Sequence, residues 1–174
     1  MIKLKKYIFI LLSLLIITGC DNDDSNITDN SILSNTIEID TKDASYLCIK
    51  DYKDELNNYA LGSKYAIVTE NDTVKTIRSI EIVESNKQSI INDFEGYINA
   101  NYSRIKEYGG YTYSINHDNN KLITSVTINL DEFNMDGFLS EFPDFVNNLN
   151  EEHKLTYESL IKYYEENNIV CEEI

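Results

Sequence analysis

Two histidines, three cysteines and thirteen tyrosines are the residues of this chain best suited to chemistry. His117 lies in "SINHDNN" and His153 in "NEEHKL". Neither has a serine or cysteine nucleophile at a recognisable spacing, so the nucleophile–base–acid arrangement of acyl transfer is not legible in the primary structure. No P-loop, G-x-G-x-x-G or H-E-x-x-H pattern occurs. Asp131 and Asp136 are close enough to suggest a carboxylate couple. In so acidic a chain, exposed strand-end acids are the better reading. Cys48 and Cys171 have no cysteine or histidine at ligand spacing, which makes a poor zinc site, and no CxxC redox pair is present. Neither a metal nor a cofactor is expected.

Cys20 has a different setting. Lys3, Lys5 and Lys6 precede an apolar run, "YIFILLSLLII", from Tyr7 to Ile17. That run is shorter than the about 20 residues a bilayer-spanning helix needs, and its layout is that of a secretory signal. It ends in "ITGC", Ile17 to Cys20, which resembles the lipobox of bacterial lipoproteins. The resemblance implies cleavage after Gly19, a diacylglyceryl group on the Cys20 thiol, and acylation of the new amine. Two or three acyl chains would hold the protein firmly at a membrane where one would not. The localisation expected is therefore the extracytoplasmic side of a bacterial cell membrane, and the residue mix suits a low-GC Gram-positive-type host.

Composition sets further bounds. The formal net charge is −15, with 30 acidic and 15 basic residues, and losing three lysines with the signal makes it more negative still. Such a chain repels phosphate backbones, so nucleic acid is not an expected partner. Residues 1–19 read as signal and 20–44 as the lipidated cysteine with a flexible acidic tether. Residues 45–174 form a single domain of ordinary size. "DNDDSNITDNSILSN" has little to bury, and a coil over 21–44 spans roughly 25–30 Å. Outside the cytosol a disulfide persists. A Cys48–Cys171 bridge would close a very long loop, for which chain entropy alone suggests about 4–5 kcal/mol. Two buried free thiols are the other reading.

Patterning supplies the elements that must position these residues. A strand starts near "SYLCIKDY", and "SKYAIVTE" and "VKTIRSIEIVE" form a hairpin around "NDT". Val74, Thr76, Ile80 and Ile82 share one face at period two, interrupted by Arg78 unless its stem snorkels. "SNKQ" from Ser85 to Gln88 has the form of a capping box. Behind it, Ile91, Phe94, Ile98, Tyr102 and Ile105 line one side of a helix over about 86–106, weakened at Gly96 and stopped by Gly109 and Gly110. A second hairpin runs through "YTYSINH" and "LITSVTINL". A last helix starts at Thr156, a suitable N-cap, with Tyr157, Leu160, Ile161 and Tyr164 inward. Val170 and Cys171 then return to the first strand. The expectation is an α+β fold: an antiparallel sheet of about four to five strands with two main helices on one face.

These segments together, "SKYAIVTENDTVKTIRSIEIV", "YGGYTYSINHDNNKLITSVTINLDEFNMDGF" and "LTYESLIKYYEENNIVC", resemble the YehR-like small bacterial lipoproteins. The likeness runs from Tyr65 to Glu173, with Gly110, Tyr111 and Asp131 at the hairpin positions. The paired cysteines and the segment before Tyr65 resemble a cysteine-bearing subset. The resemblance implies an α+β domain and brings no catalytic residue.

Functionally, the sequence points to a membrane-anchored, non-enzymatic binding or envelope-interaction module, with a small extracytoplasmic hydrolase as the alternative. The expected partners are the membrane, through lipid on Cys20, and an unidentified protein or envelope component; the chain itself is expected to be a monomer. Tyr108 and Tyr163 are the candidates for an exposed aromatic binding surface, because their neighbours supply the apolar faces.

Overall fold

The computed structural model describes residues 33–174. Six strands form one antiparallel sheet in the order β4-β5-β3-β2-β1-β6. They are β1 (Tyr46–Asp54), β2 (Tyr59–Glu70), β3 (Thr73–Ser85), β4 (Tyr111–Asp118), β5 (Lys121–Asn129) and β6 (Val170–Glu173). The helices are α1 (Gln88–Ile105), α2 (Met135–Glu141) and α3 (Tyr157–Glu166). The sheet has one or two more strands than expected. The addition is the terminal β6; β1 and β2, both expected, run on toward each other to a turn at 55–58.

Local chemistry explains the joints. Asn71 and Asp72 both adopt positive φ, 50° and 61°, as the two-residue turn of a twisted hairpin requires. Thr156 caps α3, its hydroxyl accepting from the Ser159 amide at 3.2 Å. The capping box at Ser85 does not form. Ser85 is the last residue of β3; its hydroxyl donates to the Asn58 carbonyl (2.8 Å) and accepts from the Lys87 amide (3.1 Å), so α1 begins without a side-chain cap. The sheet ladder holds Ser85 two residues ahead of the N-cap position, Lys87, too early to serve the helix.

One face of the sheet carries the main core. Leu61, Tyr65 and Ile67 of β2, Ile77 and Val83 of β3, and Leu122, Val126 and Ile128 of β5 pack there against Ile91, Ile98, Tyr102 and Ile105 of α1 and Leu160 and Tyr164 of α3. The expected face of β3 is therefore inverted beyond Val74. Val68 pairs Thr76 but Thr69 pairs Val74, so Lys75 is an extra residue that shifts the alternation. Thr76, Arg78, Ile80 and Ile82 consequently point away from the helices.

That second face is also covered. Leu33 and Ile37 pack on Ile82, Ile80, Ala60 and Ile123. The Ser34 amide donates to Asp51 Oδ1 at 2.8 Å, and the Ser34 hydroxyl to the other oxygen. Lys64 Nζ donates to the Ile37 carbonyl at 3.0 Å. Arg78 Nε donates to the Asp40 carbonyl at 3.0 Å, and its terminal nitrogen reaches the Lys42 carbonyl. Arg78 is thus the clasp of an arm over 33–44, which corrects the expectation of a free tether as far as Ala44. The part of the tether before Leu33, with Cys20 and the signal, lies outside the described residues.

Candidate functional site

The chemistry-bearing residues sort into three places. The first, absent from the sequence reading, is a polar row across the middle of the core face. Cross-strand register sets Thr124, Glu81, Ser63 and Lys50 side by side on β5, β3, β2 and β1. Thr124, Glu81 and Ser63 are all 1–2% exposed. The Tyr65 hydroxyl donates to Glu81 Oε1 at 3.2 Å. Tyr164 from α3 packs on Tyr65 with ring centroids 5.2 Å apart, and Tyr102 from α1 packs on Tyr111 of β4 at 5.6 Å, so both long helices bring tyrosines to this part of the core.

Electrostatics follow from that burial. Desolvation, and then the Glu81 charge, push the Tyr102 and Tyr111 hydroxyls well above the usual phenol range. Tyr164 moves the same way, through burial, then Tyr163, then Glu81. These phenols stay neutral donors. Lys50 is lowered by burial, with Glu81 opposing the shift. The signal that could have revealed Glu81 was its alternation with Val83 in "SIEIVE". It was masked because the opposite face, Ile80 and Ile82, looked more apolar.

The second place is the junction of the chain ends. Cys48 and Cys171 are directly opposed on β1 and β6 and form a disulfide, S–S 2.05 Å and Cα–Cα 4.0 Å, between residues 123 apart in sequence. Cys48 is fully buried. Ile169, 2% exposed, anchors the approach to β6. The tyrosine pair Tyr46 and Tyr157 stacks beside it at 3.7 Å between centroids.

The third is an aromatic corner built by α2 and the residues after α1. Tyr108 is half-buried there. Its ring meets Phe138 edge-on at 5.4 Å and its hydroxyl donates to Glu141, which also pairs with Arg104. Burial, and then that bond, raise the Tyr108 phenol to about 12. Arg104 lies 5.8 Å over the Phe142 ring.

Tyr163 does not join this surface. It is buried with Leu160 and Tyr164, so the inward stripe of α3 runs 160, 163, 164 and is rotated from the one expected. The histidines stand apart from each other. His117 Nε2 lies 3.3 Å from Glu95, and His153 Nδ1 lies 3.5 Å from Asp136; both imidazoles are half exposed. Among the described residues no group of three or more His, Cys, Asp or Glu side chains is placed to hold a metal, and no helix is long and apolar enough to cross a membrane.

No family model and no curated protein matches the chain. Among solved structures, the chain is similar to the NMR structure of the Escherichia coli YehR protein, with 13% identity over 72% of this chain and 91% of that one and a TM-score of 0.44. It is also similar to the NMR structure of a protein from Streptococcus pneumoniae TIGR4, with 8% identity over 90% of this chain and 100% of that one and a TM-score of 0.42.

Proposed function

We propose that this chain is a lipid-anchored extracytoplasmic protein of the YehR-like lipoprotein kind, acting as a non-enzymatic binding or envelope-interaction module at the bacterial cell surface. The observation that carries the reading is the placement of its reactive groups. Glu81 and the surrounding tyrosine hydroxyls are sealed between sheet and helices, whereas large apolar groups stand outside. Leu56 is 95% exposed and Tyr52 43% exposed at one end of the β1–β2 hairpin, where they are open to contact with a partner. The Cys48–Cys171 bridge suits an oxidising compartment, and the basic–apolar–"ITGC" leader supplies the anchor. The hydrolase alternative draws less support, since each histidine faces a single exposed carboxylate.

Two experiments test the parts separately. Palmitate labelling and membrane fractionation should both follow Cys20; full labelling of Cys20→Ala would sink the anchor. Photocrosslinking from position 55 on intact cells should capture a defined partner; if Leu56→Asp leaves the captured set unchanged, the hairpin end is not the contact.

A further inference from the structure

The two ends of the sheet are built differently. β6 has four residues, carries Glu172 and Glu173, and is bound to β1 by the disulfide. β4 has eight residues and pairs β5 without a break, from Tyr111 opposite Ile128 to Asp118 opposite Lys121. On its other side β4 pairs with no described strand. Such an edge presents a row of N–H and C=O groups ready to take another strand, and proteins usually blunt it with lysine, proline or a bulge. β4 has none of these, and Tyr111 to Asn116 carry no charge. In a chain of net charge −15, an uncharged edge is where an equally acidic molecule meets least repulsion.

We propose that β4 is a self-association edge, at which β4 of a second copy adds antiparallel to join two sheets into one. An antiparallel pair of identical strands has a two-fold axis perpendicular to the sheet, so the contact is closed and stops at two. Pairing centred on Ser114 sets Tyr111 of one copy against His117 of the other and Tyr113 against Ile115, like face to like face, and keeps the two Asp118 carboxylates at opposite ends. Tyr113 and Ile115, half-exposed on the helix side, lie along the joint and lose further surface to water there.

The same axis keeps like faces on the same side. The arm over 33–44 lies on the face opposite the helices, so both arms leave the joined sheet from one side. Two copies tethered by their N-terminal segments to one membrane can therefore pair. A parallel joint would turn one copy over and send the arms to opposite sides. This second argument rests on the anchor reading above, whereas the edge geometry does not.

Sedimentation of the purified full chain in detergent tests the proposal, with Ser114→Lys/Asn116→Lys as the disrupting variant. Both positions are exposed and face away from the helices, so the fold should be retained, which an unchanged melting temperature verifies. The wild type is expected to double in protein mass with rising concentration, and to do so more readily as salt screens the like charges. The double variant should stay a single copy throughout. A wild type that remains single up to millimolar concentration overturns the proposal, and so does a pair that survives in the variant. An independent readout is a short bismaleimide on Ser114→Cys in a Cys20→Ser background. It should link two copies, while Lys53→Cys near the other edge should not; equal linkage, or none at Ser114→Cys, counts against β4. If fractionation finds the chain unanchored while Ser114→Cys still links, the anchor reading fails and the edge stands.

Discussion

Glu81 concentrates the energetics of single residues in this protein. A carboxyl this deep is tolerated only where other groups satisfy it, and here the Tyr65 hydroxyl is one of them. Glu81→Ala should cost about 2–4 kcal/mol, because it opens a cavity and strips Tyr65 of its acceptor. Glu81→Gln keeps shape and acceptor and should cost distinctly less; equal losses in urea unfolding would show that the carboxyl's polarity is irrelevant. The tyrosines make a second residue-scale expectation. Tyr59, Tyr102, Tyr111 and Tyr164 all have phenols raised by burial. The unfolded chain ionises near pH 10 while the folded one holds its protons, so their contribution is whole below about pH 10 and is lost as pH rises beyond it. Lys50, lowered in the fold, runs the other way and recovers stability as pH climbs toward 10.5. The phenols outnumber it. Unfolding midpoints should therefore fall between about pH 10 and pH 12, and a flat profile there would contradict the burial of these hydroxyls.

At the scale of elements, the arm and the sheet are fitted at Gly62. A Cβ built there would meet the Ser34 amide nitrogen at 2.8 Å and the Leu33 Cβ at 2.9 Å. Gly62→Ala should lift the arm, with a loss of about 1–3 kcal/mol and faster proteolysis near residues 33–37; unaltered cleavage would mean the arm relaxes without detaching. Gly96 is the opposite case, exposed on α1 with nothing within 4 Å of an added Cβ. Gly96→Ala should raise stability by about 1 kcal/mol, readable as a higher melting temperature. Helix α1 and the β2–β3 and β4–β5 hairpins were legible from period and turn residues because each carries its own local signal. The inward face of β3 was not. One inserted residue at Lys75 reverses the alternation, and coverage of both faces erases the contrast on which that alternation depends. Tyr163 escaped for a related reason: α3 shows several apolar stripes, and only docking on the sheet selects the one containing Leu160, Tyr163 and Tyr164.

At the scale of the whole molecule, the disulfide was legible as one of two outcomes, from two cysteines in apolar settings near the limits of the folded part. The polar row was not, because it exists only once four strands stand in register. Cys48→Ala and Cys171→Ala should each lower stability by about 2–4 kcal/mol, and a dithiol reductant should reproduce the loss in the wild type while adding nothing to either variant. Free thiols titrated in the native, unreduced protein would remove the basis for this. The bridge has one more consequence. Because it joins residue 48 to residue 171, a single peptide cut anywhere between them divides the chain without dividing the covalent molecule. A protease that nicks a loop would leave both pieces in one molecule, parting only once the sulfurs were reduced.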